Sequence, residues 1–162
     1  MLELKNIEKV FSNGDEQVKA VNGVSLSVQR NEFVAFMGTS GSGKSTLMNV
    51  LVGEELSIIT PKAQTTRDRI FGIINEPNAQ VVFTDTPGVL EPSYKLQENM
   101  MKFVKDAFED ADVILLVVEL GEKEIKNERF FNALTHLEIP LLIALNKVDK
   151  SNQGQLESQV DH

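Results

Sequence analysis

The chain has 162 residues, of which 41% are hydrophobic and 25% charged, so it is long enough to bury a core as one globular domain. Its formal charge of −8 argues against broad electrostatic attraction to nucleic acid or anionic lipid, and the absence of cysteine excludes disulfides and thiolate metal sites. No apolar run approaches the ~20 residues of a transmembrane helix, and the first residues lack a signal-peptide pattern, so we expect a cytoplasmic location.

Residues 1–37 predict short strands and turns that lead into a buried strand. Hydrophobic residues alternate over 24–28, and 12–15 has the composition of a turn. The continuously apolar run 33–37 indicates a parallel strand that is covered on both faces. We therefore expect this strand to lie in the middle of the sheet, with the strands before it added as an antiparallel flap.

Strands and helices alternate through the rest of the chain. In chain order, the pattern predicts a helix over 45–52, an irregular loop over 57–69, a hairpin of strands 70–74 and 80–84, a helix over 96–108, a strand over 113–120, a helix over 123–137, a strand over 140–145 and the start of a polar helix over 153–162. This order is typical of a doubly wound α/β fold. We predict a three-layer α/β sandwich with a mostly parallel sheet, forming a single domain over 1–162.

The stretch Gly38-Thr39-Ser40-Gly41-Ser42-Gly43-Lys44-Ser45 matches the P-loop pattern G-x-x-x-x-G-K-S/T and lies between a buried strand and a helix. Its glycines let successive backbone N–H groups point at an anion, Lys44 reaches the β- and γ-phosphates, and the Ser45 hydroxyl binds Mg²⁺. The following helix adds its positive N-terminal dipole. A flexible Gly/Ser linker is the alternative, but the flanking elements disfavour it. We therefore predict that the three-layer sandwich is of the P-loop NTPase class. The predicted nucleotide-binding residues of this loop are Gly38, Ser40, Gly41, Ser42, Gly43, Lys44, Ser45 and Thr46.

Two other groups of polar residues carry less information. A basic cluster at Lys62, Arg67 and Arg69 favours charges in a solvated loop over an RNA-binding patch. The two histidines, His136 and His162, are too far apart in sequence to suggest a His-based metal site or catalytic triad.

The first part of the chain resembles the ATP-binding subunit of ABC transporters of the lipoprotein-release or macrolide-export type. The resemblance lies in residues 2–7 (LELKNI), 21–26 (VNGVSL) and 32–35 (EFVA), which lead into the P-loop, and it extends to about residue 50. In that family an aromatic residue near position 11 stacks on adenine, which implies this role for Phe11. A place in the core is the alternative for this side chain.

From about residue 44 onward the chain resembles GTPases of the Era family instead. The matching segments are 53–60 (GEELSIIT) and 62–67 (KAQTTR) for the first switch, 85–89 (DTPGV) for the D-x-x-G box and 146–149 (NKVD) for the N-K-x-D box. The two resemblances join inside the P-loop. We therefore interpret the chain as a chimera, with an ABC-like segment over 1–50 and an Era-like segment over 51–162.

The Era resemblance implies roles for residues outside the P-loop. Asp85 holds Mg²⁺ through a water, and the Gly88 N–H senses the γ-phosphate. Thr66 is the second hydroxyl ligand of Mg²⁺, with Thr65 as the alternative. The predicted catalytic residues are therefore Lys44, Thr66 and Gly88, and the predicted metal-binding residues are Ser45, Thr66 and Asp85.

The N-K-x-D box implies recognition of guanine. Asp149 accepts the hydrogens on N1 and N2 of guanine, which adenine cannot offer, while Asn146 and Lys147 support the loop and cover the base. A site built to pair with those donors discriminates strongly against a base that lacks them. A surface turn is the alternative for this segment.

The chain also departs from both families. No ABC signature segment, Walker B acidic pair or switch histidine follows residue 50, so we expect neither ABC-type catalysis nor a membrane partner. The last strand of the Era G domain, its S-A-x loop and its KH domain are missing, so we expect no RNA binding. Gly41 stands where Era carries an Asn that places an activating K⁺, and Val89 stands where Ras-like proteins carry the Gln that orients water.

These observations predict Mg²⁺-dependent binding of a nucleoside triphosphate, with GTP preferred and hydrolysis slow at best. Two alternatives stay open. One is an ATP-binding P-loop domain with adenine stacked on Phe11, and the other is an engineered or recombinant chimera with no biological task.

Overall fold

The computed structural model describes residues 2–13, 16–29, 32–59, 66–77, 79–121 and 127–148. Its elements in chain order are strands β1 (Leu2–Asn13), β2 (Glu16–Val28) and β3 (Phe33–Met37), helix α1 (Lys44–Val52), strands β4 (Ile70–Glu76) and β5 (Ala79–Asp85), helix α2 (Lys95–Asp110), strand β6 (Val113–Glu119), helix α3 (Glu128–Thr135) and strand β7 (Leu141–Asn146). Within these ranges, no helix has both the length and the apolar character needed to cross a membrane.

Five strands form one sheet in the order β4-β5-β3-β6-β7. Strands β5, β3, β6 and β7 run parallel to one another, while β4 pairs with β5 in an antiparallel hairpin. The predicted central position of the strand at 33–37 is confirmed, because β3 has a parallel neighbour on each side.

Side chains of β3 alternate between two hydrophobic clusters, one on each face of the sheet. Val34 and Phe36 pack in the cluster that includes α1, whereas Ala35 and Met37 pack in the cluster that includes α2 and α3. A strand buried on both faces needs apolar residues at every position, which explains the continuous run in the sequence. The three-layer α/β sandwich predicted from the sequence is confirmed.

The N-terminal strands pair with each other as a separate antiparallel sheet. The prediction of short strands was wrong, since β1 and β2 have 12 and 13 residues. Shifts in the pairing register between Leu4 and Val10, with a left-handed φ of 50° at Asn6, disturb the alternation without ending the strand. Val28, at the end of β2, is buried in the α1 cluster.

The sequence predicted that Arg69 is a charge in a solvated loop, and the structure shows that this prediction is wrong. Its side chain is only 12% exposed, and Nη1 donates to Asp110 Oδ2 at 2.7 Å. The guanidinium lies 5.7 Å from the centre of the Phe33 ring and 5.0 Å from that of Phe71. Cation–π contacts with two rings explain why this charge is not solvated.

Candidate functional site

Most of the predicted site residues that the structure describes come together at one edge of the five-stranded sheet, where the parallel strands end. The P-loop joins β3 to α1, Asp85 is the last residue of β5 and Asn146 is the last residue of β7. Ligands of open α/β sheets bind at this edge because the loops that follow neighbouring strands meet there.

The backbone of the P-loop requires glycine at Gly38 and Gly43. Gly38 has a φ of 139°, and a Cβ added there would lie 2.2 Å from the Val117 carbonyl oxygen. Gly43 has a φ of 103° and caps the N-terminus of α1. The loop therefore turns tightly against β6 and directs the start of α1 toward the mouth of the loop, which is the arrangement that favours an anion.

Lys44 is held within this loop. Its side chain is buried, at 5% exposure, and Nζ donates to Gly38 O at 3.1 Å and to Thr39 O at 2.8 Å. Neighbouring Thr46 is also buried, whereas Ser40 and Gly41 are exposed at the rim. The ammonium of Lys44 is thus positioned at the loop by backbone carbonyls rather than extended into solvent.

Three hydroxyl groups converge on one oxygen of Asp85. Ser45 Oγ donates to Asp85 Oδ2 at 2.6 Å, Ser57 Oγ at 3.0 Å and Thr66 Oγ1 at 3.5 Å. Ser45 Oγ and Thr66 Oγ1 are 3.2 Å apart. The three metal-binding residues predicted from the sequence, Ser45, Thr66 and Asp85, are therefore neighbours, and Ser57 joins them.

The Asp85 carboxylate is fully buried, and burial raises its pKa. Hydrogen bonds from Ser45, Ser57 and Thr66, and the positive charge of Lys44, act in the opposite direction. Its Oδ1 has no hydrogen-bond partner among the described residues. A buried carboxylate with an unsatisfied oxygen is a costly arrangement that a nearby cation would relieve.

The oxygen-only donors of this cluster suit Mg²⁺ better than a transition metal. In the part of the chain that the structure describes, no group of three or more His, Cys, Asp or Glu side chains could hold a metal alone. Mg²⁺ commonly keeps several waters and binds through one or two protein groups together with substrate phosphates. The residues present therefore fit a Mg²⁺ ion that arrives with a phosphate ligand.

The loop that contains Gly88 packs directly on the P-loop. Val89 N donates to Gly38 O at 3.0 Å, and Val89 forms a parallel bridge with Thr39. A Cβ added at Gly88 would lie 2.6 Å from Ser40 N. Only glycine permits this approach, which brings the Gly88 backbone next to the phosphate-binding loop.

The predicted base-reading loop is also bonded to the P-loop. Asn146 Nδ2 donates to Ser42 O at 2.8 Å across 104 residues of sequence. Lys147 has a left-handed φ of 60°, and its Nζ forms an ion pair with Glu119 at the end of β6. These contacts place the start of the N-K-x-D box beside the P-loop.

Several predicted features lie outside the described residues. They are Asp149, Thr65, Lys62, the side chain of Phe11 and the polar helix over 153–162. The backbone of Phe11 lies in β1, opposite Val18. Guanine contact by Asp149, adenine contact by Phe11 and the choice between Thr65 and Thr66 stay predictions.

Sequence reasoning missed Asn49 and Ser57. Both are buried. Asn49 accepts a hydrogen bond from the Ser57 backbone, and Ser57 donates one to the carboxylate of Asp85. Ser57 lay inside a segment that resembles the Era switch, but nothing in the residue type indicated a contact with Asp85. Asn49 had a better signal, since a polar side chain in the apolar helix α1 needs a hydrogen-bond partner.

A family model described as 50S ribosome-binding GTPase matches residues 33–147. GTPase Era of Alkaliphilus metalliredigens is 39% identical over 125 residues, which are 76% of this chain and 42% of that protein. GTPase Era of a Nostoc species is 42% identical over 122 residues, which are 75% of this chain and 38% of that protein. A crystal structure of Era in complex with MgGDPNP and nucleotides 1506–1542 of 16S ribosomal RNA has a TM-score of 0.73 at 38% identity, covering 83% of this chain and 46% of that one.

These matches support the Era-like part of the prediction and not the ABC-like part. Residues 33–50, which were assigned to the ABC-like segment, fall within the match to the GTPase family. The ABC-like origin of the first 32 residues, the chimeric interpretation and the single-domain boundaries stay predictions. The chain spans less than half the length of the relatives it matches.

Proposed function

Because this chain belongs to the 50S ribosome-binding GTPase family, we propose that it binds GTP together with Mg²⁺ at the P-loop and hydrolyses it slowly at best. The observation that carries the proposal is the convergence of Ser45, Thr66 and Asp85 beside Lys44. Ser45 Oγ lies 2.6 Å from Asp85 Oδ2 and 3.2 Å from Thr66 Oγ1.

Phosphate binding follows from the P-loop and from Lys44. The N-terminus of α1, capped by Gly43, offers backbone N–H groups and a positive dipole to an anion. Lys44 is already held at the loop by the Gly38 and Thr39 carbonyls, so little ordering of its side chain is needed when phosphate arrives. This arrangement is suited to the β- and γ-phosphates.

In this proposal Ser45 and Thr66 hold Mg²⁺ through their hydroxyl oxygens, and Asp85 holds it through a water. The bound ion neutralises charge on the phosphate oxygens. The buried Asp85 carboxylate favours a cation at this place, because its Oδ1 has no other partner among the described residues. Gly88 lies against the P-loop, where its N–H reaches a terminal phosphate.

Guanine rather than adenine is the proposed base. Asn146 ties the base-reading loop to Ser42 of the P-loop, which supports a base site next to the phosphates. Asp149 then supplies the pair of acceptors for guanine. ATP with adenine on Phe11 is the second candidate, and it rests on the N-terminal resemblance alone. Competition between GTP and ATP distinguishes the two.

We expect slow hydrolysis because the groups that accelerate it in related proteins are replaced. Gly41 provides no side chain for an activating cation, and Val89, which is buried, cannot orient a water. Groups that orient water or neutralise transition-state charge supply large factors in phosphoryl transfer. Phosphate release of the purified protein should therefore be slow relative to nucleotide exchange.

The nucleotide is the proposed partner of this chain, whereas RNA and membrane partners are not proposed. The related Era structure contains 16S ribosomal RNA, but this chain corresponds to 46% of that protein. The charge of −8 offers no general attraction to RNA. A cytoplasmic location stays a prediction from the composition.

Titration of a fluorescent GTP analogue tests the proposal, first with Mg²⁺ and then with EDTA. We expect tighter binding with Mg²⁺, and loss of binding in Lys44→Ala. Lys105→Ala is the matched control, because Lys105 is an exposed helix residue paired only at the surface with Glu109. Equal affinity with and without Mg²⁺, or unchanged binding in Lys44→Ala, would contradict the proposal.

A further inference from the structure

Ser57 contacts the proposed metal site from a segment of the chain outside the P-loop. It lies in the segment after α1 and is 3% exposed. Its Oγ donates to Asp85 Oδ2 at 3.0 Å, across 28 residues of sequence. The same oxygen accepts from Ser45 and Thr66. Asp85 is therefore held by the P-loop, by Thr66 and by a third segment.

The backbone of Ser57 is fixed by Asn49 of α1. Asn49 Oδ1 accepts from Ser57 N at 2.8 Å and from Leu56 N at 3.1 Å, while Asn49 Nδ2 donates to Ser57 O at 2.8 Å. Asn49 is 7% exposed, so these bonds are shielded from water. With both its N–H and its C=O bonded to one rigid helix residue, Ser57 has its hydroxyl directed at Asp85.

We propose that Ser57 is a positioning residue, which Asn49 holds in place and which orients the Asp85 carboxylate for the Mg²⁺–triphosphate complex. This inference rests on the proposed function. In that function the Ser45 and Thr66 hydroxyls would bind the cation, whereas the Ser57 hydroxyl bonds to the Asp85 carboxylate. Ser57 thus sets the direction of Asp85 independently of the metal, and the start of the switch loop is coupled to the metal site through Asn49.

The expected effect is specific to Mg²⁺. Ser57→Ala removes one donor to a buried carboxylate, so triphosphate affinity in Mg²⁺ should fall about tenfold, in the range expected for a hydrogen bond to a charged group. Affinity in EDTA should change less than twofold, because the hydrogen bonds of Ser57 go to Asn49 and Asp85 and not to the P-loop residues that receive phosphate. Asn49→Ala should lower the affinity in Mg²⁺ in the same direction, because it releases the Ser57 backbone.

The experiment measures triphosphate affinity against Mg²⁺ concentration and in EDTA for the wild type, Ser57→Ala and Ser57→Cys. Cysteine fills the serine site but is a weak donor, so it should behave as alanine does without leaving a cavity. Ser93→Ala, an exposed serine before α2, is the matched control and should behave as the wild type. Melting in EDTA checks the fold of each variant.

The outcomes separate the inference from the proposed function. A wild type without Mg²⁺-dependent binding overturns both. If Mg²⁺ strengthens triphosphate binding by the wild type, and strengthens it by the same factor in Ser57→Ala and Ser57→Cys, the inference alone is overturned. Equal losses with Mg²⁺ and with EDTA indicate a merely structural role and overturn it too. A loss confined to Mg²⁺ supports it.

Discussion

Replacing Gly88 with alanine tests the contact between the P-loop and the loop that contains Gly88. The new Cβ would lie 2.6 Å from Ser40 N, 2.7 Å from Ser40 Cα and 2.8 Å from Ser40 Cβ. None of these atoms can rotate away, since two belong to the backbone and the third is fixed to it. The two loops must therefore separate, which also stretches the bond from Val89 N to Gly38 O.

The size of the effect follows from the overlap. Forcing one extra carbon into a tightly packed contact costs about 1–3 kcal/mol. In a domain of this length each kcal/mol shifts the melting temperature by about 2–4 °C, so Gly88→Ala should melt about 2–12 °C lower. In the proposed function the Gly88 N–H donates to the terminal phosphate, and moving it away removes a charge-assisted hydrogen bond worth about 1.5–3 kcal/mol. Triphosphate affinity should then fall about 10- to 100-fold.

Thermal melting and titration of GTP and GDP measure the two effects separately. Gly121→Ala is the matched control, because Gly121 has a left-handed φ of 93° but open space around a new Cβ. That variant should lose stability through backbone strain while keeping its affinity for GTP. If Gly88→Ala melts and binds GTP as the wild type does, the close approach of the two loops is wrong.

Three further variants test other parts of the site. Lys44→Ala should keep its circular dichroism spectrum and lose triphosphate affinity by at least about 100-fold in titration, since a charged hydrogen bond and a point charge are removed together. Asp85→Asn in EDTA should melt higher than the wild type at pH 7. Burial raises the pKa of Asp85, so ionisation of this carboxyl destabilises the folded state once the pH exceeds the ordinary carboxyl pKa. The difference in melting temperature between Asp85→Asn and the wild type should therefore shrink as the pH falls toward ~4. Persistence of the full difference at pH ~4 would contradict this reasoning. Asn146→Ala should lower stability by about 1–3 kcal/mol in chemical denaturation, because it breaks a buried bond to Ser42 O. An unchanged denaturation midpoint would argue against that bond.

Features set by short-range sequence were predictable. The helix after the P-loop ends at Gly53, where a φ of 80° and a bond from Gly53 N to Asn49 O close the last turn, as glycine at that position indicated. The metal-binding set Ser45, Thr66 and Asp85 was predicted from the P-loop pattern and from the resemblance to Era-family GTPases, and the structure brings these three residues together.

Features set by tertiary contacts were not predictable in the same way. Arg69 appeared as a loop charge because two of its partners, Phe33 and Asp110, are distant in sequence. The bond from Ser57 to Asp85 likewise depends on how the switch loop folds back over α1. The length of β1 was underestimated because register shifts conceal the alternation that marks a strand.

Competition of a labelled nucleotide by GTP and by ATP, in Mg²⁺, tests the central claim most directly. In the proposed function Asp149 is the acceptor that recognises guanine, so GTP should compete about tenfold better, a difference of ~1.4 kcal/mol. Asp149→Ala should bring the two competition curves together without weakening ATP. Stronger competition by ATP in the wild type, or an unchanged ratio in Asp149→Ala, would contradict the assignment of this chain as a guanine-nucleotide-binding domain.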